Sequence, residues 1–452
     1  MRHLMLVAAL LPFSACHGND PAKGGAGSAT TPQTTPSNVG SPKPDPAAAG
    51  SAVVAADKPP VVDAKPAAPP APPAPPALEG HDFTAMGREL FAIGACGEVA
   101  TPEGYSAQMI AKHCKVIRAA QEDYANQWVK LARPFFAEKV PANVPKRVVY
   151  PFAGGDLSTA LTVYPDADEI TTMSLEPAGD PRTLDALNRA ANARVVGKSA
   201  KPSEPRSSAA LDRALGTVEK ELRFLYRVNF SNTLNMIDAM RGGALPTQLI
   251  FGLSALKVHG YELVSLRYFT LDEAGTIHYL SDDEVAAAPD ATSEQKEKRN
   301  RIFANAEVRF QKPGGRVQIY RHIQQNLDND HLKADPRVIK HLEAKGTVAA
   351  MTKAASYLLS WESFSIMRDY LMGHVTWMVS DATGIAPKWG KAAGFEYETY
   401  GGFTEPHIPA GNDIARSWRT EFAVQPKREL KFRFGYYDKR IVDHLIIMMK
   451  KS

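Results

Sequence analysis

The chain has 452 residues, of which 53 are lysine or arginine and 49 are aspartate or glutamate, so its formal net charge is +4. This length allows one large domain or two smaller ones, and the near balance of charge, without a long block of either sign, argues against a nucleic-acid partner. After the N-terminal segment, no apolar stretch approaches the roughly 20 residues that a membrane-spanning helix needs.

The first sixteen residues have the pattern of a bacterial lipoprotein export signal. Arg2 precedes an apolar run over residues 4–11, and the small pair Ser14-Ala15 leads into Cys16. A charged start, an apolar run too short to span a bilayer and a small-residue end are typical of a cleaved segment. We expect this segment to direct export, with Cys16 becoming the lipidated first residue. Ordinary secretion after signal cleavage is the alternative.

Residues 17–78 are predicted to be a disordered linker. They are mostly Pro, Ala, Gly, Ser and Thr and end in a proline-rich run between Pro66 and Pro76. Such a segment has too little apolar surface to offset the entropy lost on ordering. Its last part favours extended polyproline II, which rises about 3.1 Å per residue. The linker is therefore expected to be a spacer between membrane and folded domain, or else a targeting remnant.

Residues 79–145 are predicted to form a helical subdomain, because their apolar side chains recur at helical spacing. They include Cys96 and Cys114, 18 residues apart. With Cys16 used by the signal, these two cysteines should pair in an oxidising compartment, and closing such a loop stabilises a fold by about 3 kcal/mol. Two buried free thiols or a redox couple are the alternatives.

A strand, a glycine-rich turn, a helix and a second strand follow. Residues 146–152 are apolar and β-branched, Gly154 and Gly155 permit a tight turn, Asp156 can cap a helix, and Glu176 closes the second strand. Nucleotide-binding βαβ units have this order: amides at the helix start bind an anionic group and the terminal carboxylate binds ribose hydroxyls. These four glycine and carboxylate residues are the candidate cofactor-binding residues. Of the full GxGxxG fingerprint this chain has only Gly-Gly-Asp, so a turn that has a structural role and binds nothing is the alternative.

Predicted strands and helices alternate in the rest of the chain. Hairpins are predicted around the turns at residues 273–275 and 313–315, and the apolar runs at 348–359 and 375–379 have the pattern of buried strands or helix starts. The alternation predicts an α/β fold over residues 146–452, with a Rossmann-like, mostly parallel sheet flanked by helices.

Five short motifs resemble a family of exported bacterial proteins of undetermined function. They are Phe152-Ala153-Gly154-Gly155-Asp156, Leu175-Glu176-Pro177, the run from Lys353 to Leu359, Phe364-Ser365 with Arg368, and Ser380-Asp381 with Gly384-Ile385. The resemblance covers about residues 147–436. Members of the family tend to have Phe-Ser-Gly-Pro-Asp at the first motif, where this chain has Ala153 and Gly155 at the second and fourth positions. The resemblance therefore does not predict which residues contact a ligand. The βαβ unit alone is similar in layout to the first half of S-adenosylmethionine-dependent methyltransferases.

Three further groups carry candidate chemistry. Ser254-x-x-Lys257 matches a serine nucleophile activated by a lysine one turn later, but the sequence lacks the partner motifs of that enzyme class. Residues 328–331 cluster possible cation ligands without the glycine and glutamate of a calcium loop, which favours a polar turn. The third group consists of Lys353, Tyr357, Arg368, Asp369 and Asp381. These side chains suggest acid–base catalysis on an envelope substrate, and a structural ion pair is the alternative. No spacing of histidines and cysteines predicts a metal site.

Two functions follow from these patterns. The first is a lipid-anchored exported cell-envelope protein, in the cell membrane or outer membrane and facing the periplasm or cell surface, that acts as a binding or structural module with the membrane as its partner. The alternative is an S-adenosylmethionine-dependent methyltransferase-like enzyme with its pocket over Gly154, Gly155 and Asp156 and with Glu176 on a ribose. Export disfavours the enzyme because such cofactors are retained in the cytoplasm. An open pocket over these residues would favour the enzyme, and a side chain filling the turn would favour the module.

Overall fold

The computed structural model describes residues 79–97, 104–188, 209–229, 245–291, 293–381, 384–403, 413–435 and 444–451. The predicted signal segment, Cys16 and the predicted linker lie outside these residues. All described residues belong to one compact unit. None of the helices in these ranges combines the length and the hydropathy of a membrane span.

The described strands form one sheet of ten strands. In chain order the strands are β1 (Arg147–Tyr150), β2 (Glu169–Ser174), β3 (Glu262–Leu271), β4 (Ile277–Tyr279), β5 (Asn305–Gln311), β6 (Gln318–Gln324), β7 (Val348–Met351), β8 (Val375–Ser380), β9 (Phe395–Gly401) and β10 (His444–Lys450). Their spatial order is β4-β3-β5-β6-β2-β1-β7-β8-β10-β9. The five strands from β6 to β8 run parallel, and the pairs outside them are antiparallel.

The α/β class is confirmed, but the prediction of a mostly parallel sheet is wrong, because the sheet is mixed. Both predicted hairpins form: Phe269 of β3 pairs with Tyr279 of β4, and Ala306 of β5 pairs with His322 of β6. A hairpin always joins antiparallel strands. The hairpin strands β4, β3 and β5 extend the sheet beyond β6 on one side, and β10 pairs antiparallel with β8 and β9 on the other side. Parallel pairing is therefore confined to the strands at the centre of the sheet.

Helices cover both faces of the sheet. In chain order they are α1 (Thr84–Ile93), α2 (Ala107–Tyr124), α3 (Lys130–Lys139), α4 (Leu157–Val163), α5 (Ala209–Val228), α6 (Thr247–Val258), α7 (Asp282–Ala286), α8 (Lys296–Ile302), α9 (Asn329–Ala334), α10 (Arg337–Glu343), α11 (Ser365–His374), α12 (Pro387–Gly390) and α13 (Asp413–Val424). A π-helical turn, Ala125–Val129, joins α2 to α3.

The core has two parts, one on each face of the sheet. In β1, Val148 and Tyr150 belong to the cluster shared with α1 to α6, whereas Val149 belongs to the cluster shared with α9 to α13. This follows from the alternation of side chains along a strand, and burial of both faces explains why the strand reads as a continuous apolar run.

The N-terminal helices pack directly on the sheet. Gly87 of α1 lies against Leu263 and Leu266 of β3, where a Cβ atom would come within 3.0 to 3.1 Å of their methyl groups. Cys96, just after α1, and Cys114, in α2, form a disulfide with their Cα atoms 5.3 Å apart. The predicted disulfide is therefore confirmed, and it fixes the turn from α1 to α2.

Candidate functional site

The candidate site lies where the parallel strands end. β1, β2, β7 and β8 finish at one edge of the sheet because they run parallel, and a charged residue follows each of them: Asp156 after β1, Glu176 after β2, Lys353 after β7 and Asp381 after β8. The chain passes from β1 to β2 on one side, while β7 lies on the other side of β1. This arrangement makes a topological switch point, the place at which open α/β sheets bind ligands.

Asp156 and Lys353 form an ion pair at the switch point. Asp156 caps α4, as predicted: its Oδ1 accepts hydrogen bonds from the backbone N–H (3.2 Å) and Oγ1 (2.8 Å) of Thr159, and its Oδ2 accepts one from the Tyr150 hydroxyl (3.1 Å). The Lys353 amine contacts Oδ2 and donates to Thr159 Oγ1 at 2.6 Å. Burial lowers the pKa of Lys353, and the Asp156 carboxylate opposes that shift. Two charges buried from water thus compensate each other.

Aromatic rings cover the lysine amine. Its Nζ atom lies 5.9 Å from the centre of the Trp128 ring and 5.7 Å from that of Phe434. The side chains of Lys353 and Asp156 are 0% and 2% exposed. The ion pair therefore has no opening to solvent among the described residues that surround it.

A second buried carboxylate, Asp381, orders the loop after β7. Its Oδ2 accepts the Ala354 backbone N–H at 2.7 Å, and its Oδ1 accepts the Ser356 hydroxyl at 2.5 Å. Gly435 packs on it so closely that a Cβ atom there would lie 2.4 Å from the Asp381 Cβ. Nearby, burial lowers the pKa of His444 and the Asp381 charge opposes this shift. Asp381 therefore holds the β7 and β8 loops together.

The predicted glycine turn is filled from above by α6. A Cβ atom on Gly155 would come within 2.1 Å of Phe251 Cδ2, and Gln248 donates its Nε2–H to the Gly154 carbonyl at 2.7 Å. Gly154 has φ +52°, a left-handed conformation that suits glycine. The glycines thus allow a helix to approach the turn, and Phe251 stands where an open βαβ unit would admit a phosphate.

Glu176 is fully buried beyond the end of β2. Its carbonyl oxygen accepts a hydrogen bond from His322 Nε2 at 2.7 Å. Burial lowers the pKa of His322 to about 4, so this imidazole is neutral at pH 7. The structure brings Gly154, Gly155 and Asp156 together and places Glu176 after the neighbouring strand, but none of these four lines the cavity described next.

A cavity of about 1100 Å³ opens beside the ion pair. Its walls are α2 with the π-helical turn, α5, and residues 429–433. The residues that line it include Asp123, Tyr124, Trp128, Leu131, Gly216, Glu219, Glu221, Phe224, Arg227, Asn229, Glu429, Lys431, Phe432 and Arg433. The π-helical turn contributes Trp128, and such turns are frequent at functional sites.

Asn229 connects this cavity to the ion pair. Its Oδ1 accepts a hydrogen bond from the Tyr124 hydroxyl at 3.0 Å and lies 3.2 Å from Thr159 Oγ1, which also contacts Asp156 and Lys353. Asn229 is 3% exposed, and its buried Nδ2 has no hydrogen-bond partner among the residues that the structure describes. An unpaired buried donor is costly, and Asn229 is one of the residues that line the cavity, so this residue is a candidate ligand contact.

Backbone strain marks the same region. Phe152 and Ala354 have φ values of 59° and 61°, in the left-handed region that residues with a β-carbon rarely adopt. Phe152 follows β1 and Ala354 follows β7. Strained residues of this kind cluster at functional sites, so both support a site at this edge of the sheet. Asn229 has φ 60°, which asparagine adopts readily after a helix end.

The other sequence candidates have structural contacts. Ser254 lies in the core, where its Oγ contacts Gln121 Nε2 (2.8 Å) and the Tyr226 hydroxyl (2.7 Å). Asp328 caps α9 by accepting the His331 backbone N–H at 2.9 Å. Arg368 is buried and donates to the Leu359 carbonyl at 3.1 Å. Tyr357 packs edge-on against the exposed Trp361. Among the described residues, no group of three or more His, Cys, Asp or Glu is placed to hold a metal ion.

Sequence reasoning missed Asn229, Trp128 and the cavity. An asparagine directly after the amphipathic α5 is a helix C-cap signal, because asparagine tolerates the left-handed conformation. This capping pattern is the sequence signal that points to Asn229. No family model, curated protein or solved structure matches the chain.

Proposed function

We propose that this chain is a lipid-anchored, exported cell-envelope protein whose folded part is a binding module, with the cavity between α2 and α5 as its ligand site. The pattern of residues 1–16 supports export and lipidation at Cys16, and the Cys96–Cys114 disulfide fits an oxidising compartment. The observation that carries the binding role is the buried, unpaired Nδ2 of Asn229 at the cavity.

We infer that the strands from β6 to β9 are a Rossmann-like, doubly wound core. Taken in chain order with β10 left out, β1, β2, β6, β7, β8 and β9 stand in the spatial order 3-2-1-4-5-6 of such sheets, and β10 is inserted antiparallel between the last two. These folds bind ligands beyond the carboxyl ends of their strands. The position of the cavity beside the Asp156–Lys353 pair agrees with this rule.

A methyltransferase-like enzyme using S-adenosylmethionine is the second candidate. The strand order and the carboxylate of Glu176 after β2 favour it. Three observations oppose it: Phe251 fills the space at Gly155, Gln248 occupies the Gly154 carbonyl, and Lys353 neutralises Asp156. We therefore place the binding module first.

Export and lipidation are tested by producing the full chain and a Cys16→Ser variant in a bacterium that processes lipoproteins. We expect the full chain in the membrane fraction, with an N-terminal peptide that starts at Cys16 and carries the mass of a lipid, and the variant without that lipid. A full chain that stays cytoplasmic and keeps its first fifteen residues overturns the proposal.

The ligand site is tested by filling it. Gly216 of α5 lines the cavity, and a Cβ atom there meets nothing within 4 Å, so Gly216→Trp is chosen to add bulk at the cavity wall. Gly373 of α11 also has open space and lies outside the cavity, so Gly373→Trp is the matched control. The Cys16→Ser chain is incubated with a small-molecule extract of bacterial envelopes, washed, and analysed by mass spectrometry.

We expect retained compounds that are lost with Gly216→Trp and kept with Gly373→Trp. No retained compound, or retention unaffected by Gly216→Trp, overturns the binding role. Thermal melting with S-adenosylmethionine, S-adenosylhomocysteine and nicotinamide dinucleotides should show no shift, whereas a shift abolished by Glu176→Ala establishes the enzyme instead, because ligands that bind the native state raise its stability.

A further inference from the structure

The end of the cavity at Asn229 carries positive charge. Arg227 lies two residues before Asn229 at the end of α5, and the Arg433 guanidinium donates to the Arg227 carbonyl at 3.4 Å. The Trp128 indole N–H donates to the Arg433 carbonyl at 2.5 Å, which ties this segment to the cavity wall. Arg227, Asn229 and Arg433 therefore line the same part of the cavity, around the end of α5.

The carboxylates on α5 lie farther away. Glu219 and Glu221 precede Asn229 by ten and eight residues, or about 15 and 12 Å along a helix. They are also engaged, since Glu219 contacts Arg223 and Glu221 contacts Lys220. The charges along α5 are thus mixed at its start, and Arg227 and Arg433 lie at its end. Asp123, Glu429 and Lys431 also line the cavity.

The two arginines lie at the C-terminus of α5. The last carbonyls of a helix carry partial negative charge, which disfavours an anion, and cations there compensate it. Arg227 and Arg433 bring two guanidinium groups to this helix end, and Asn229 adds an amide to the same cavity lining. A guanidinium fork and an amide donor together match the oxygens of a carboxylate or a phosphate.

Apolar side chains continue from this end of the cavity. Phe432 is buried, Phe224 is half-buried with the Arg227 guanidinium 6.0 Å from its ring centre, and Leu131 is 49% exposed. Such a surface suits the apolar body of an organic molecule.

We propose that the cavity binds an organic oxyanion, with its carboxylate or phosphate group at Asn229, Arg227 and Arg433 and its apolar part against Phe224, Phe432 and Leu131. This inference rests on the proposed binding function and specifies the chemical class of the ligand.

The test uses the Cys16→Ser full chain and small probes measured by calorimetric titration. The probes are phenyl phosphate and benzoate as organic oxyanions, benzyl alcohol as the neutral analogue, benzylamine as the cation, and inorganic phosphate. We expect both oxyanions to bind at least about tenfold more tightly than benzyl alcohol, benzylamine to bind most weakly, and inorganic phosphate to bind more weakly than phenyl phosphate.

Two variants locate the effect. Arg227→Gln should weaken phenyl phosphate by about tenfold or more and leave benzyl alcohol unchanged, because only the charge-assisted contact is lost. Asn229→Gly should weaken every probe that accepts from the amide while the protein still folds, since glycine adopts the observed positive φ readily. Arg301→Gln, at an arginine whose side chain is 82% exposed and that does not line the cavity, is the control.

The outcomes separate this inference from the proposed function. Equal affinity for benzyl alcohol and phenyl phosphate, both lost with Gly216→Trp, overturns the oxyanion but keeps the cavity as a binding site. Equal affinity for inorganic and phenyl phosphate overturns the apolar part of the ligand. Oxyanion binding that survives Gly216→Trp and Arg227→Gln overturns both the ligand class and the site.

Discussion

Separating the buried pair Asp156–Lys353 should destabilise the fold far more than replacing it as a whole. The side chains are 2% and 0% exposed, and each charge depends on the other. Lys353→Met keeps a chain of similar length beside the Trp128 and Phe434 rings, which suit a thioether. Asp156→Asn keeps an oxygen for the cap of α4. These changes remove charge with little change of shape.

The magnitude follows from what each variant leaves behind. Without Lys353, the Asp156 carboxylate keeps three hydrogen bonds, two from Thr159 and one from Tyr150, and we expect a loss of about 3 kcal/mol. Without the Asp156 charge, the amine keeps Thr159 Oγ1, so the loss should reach about 4 to 5 kcal/mol. The double variant buries neither charge of the pair and should lie within about 2 kcal/mol of the parent.

The assay is urea unfolding of the four proteins, read as free energies of unfolding in a double-mutant cycle. The exposed pair Lys388–Asp413, with side chains 33% and 62% exposed, is the control, and its coupling should stay below about 1 kcal/mol. If the losses in free energy of unfolding of the two buried single variants add up in the double variant, the two charges do not compensate each other. Coupling at Lys388–Asp413 as large as at the buried pair would refute the role given to burial.

Three further predictions concern stability. Burial lowers the pKa of His322 in the folded state from 6.5 to about 4, so between these pH values only the unfolded chain takes up the proton. The free energy of unfolding should therefore fall by up to about 3 kcal/mol as the pH falls from 6.5 to 4. A His322→Gln variant whose free energy of unfolding, measured in urea, depends on pH as steeply as that of the parent contradicts this. Cys114→Ser should lower the free energy of unfolding by about 3 kcal/mol, and unchanged urea midpoints would contradict it. Gly155→Ala should cost about 1 to 3 kcal/mol in thermal melts because its Cβ meets Phe251 at 2.1 Å, and a smaller side chain in Phe251→Leu should recover part of that loss.

Local sequence signals predicted local structure well. Asp156 caps α4, the turns at residues 273–275 and 313–315 form hairpins, and Cys96 pairs with Cys114. Each feature depends on residues close together in the chain, where capping, turn geometry and loop closure act directly. The α/β class follows from the same local patterns.

The sheet and the site depend on long-range pairing, which such signals do not contain. The hairpin turns were recognisable, but nothing near them shows that β6 would pair with β2 and bring its antiparallel neighbours into the same sheet. The sequence groups Lys353 with Tyr357, Arg368 and Asp381, which are close to it in the chain. Lys353 meets Asp156, about 200 residues earlier, because β7 lies beside β1. The Gly154-Gly155 turn suggested a phosphate, and the same small residues equally permit the approach of α6.

The Thr159 hydroxyl relates the ion pair to the cavity. It accepts from Lys353, so it has one proton to donate and two acceptors within reach: Asp156 Oδ1 at 2.8 Å and Asn229 Oδ1 at 3.2 Å. The shorter contact to a carboxylate is the stronger one, so the proton stays with Asp156 and Tyr124 alone serves the Asn229 oxygen. With that oxygen held, the amide nitrogen of Asn229 is left without a hydrogen-bond partner among the described residues. The ion pair that fills the switch point therefore also fixes the orientation of the Asn229 amide in the cavity wall.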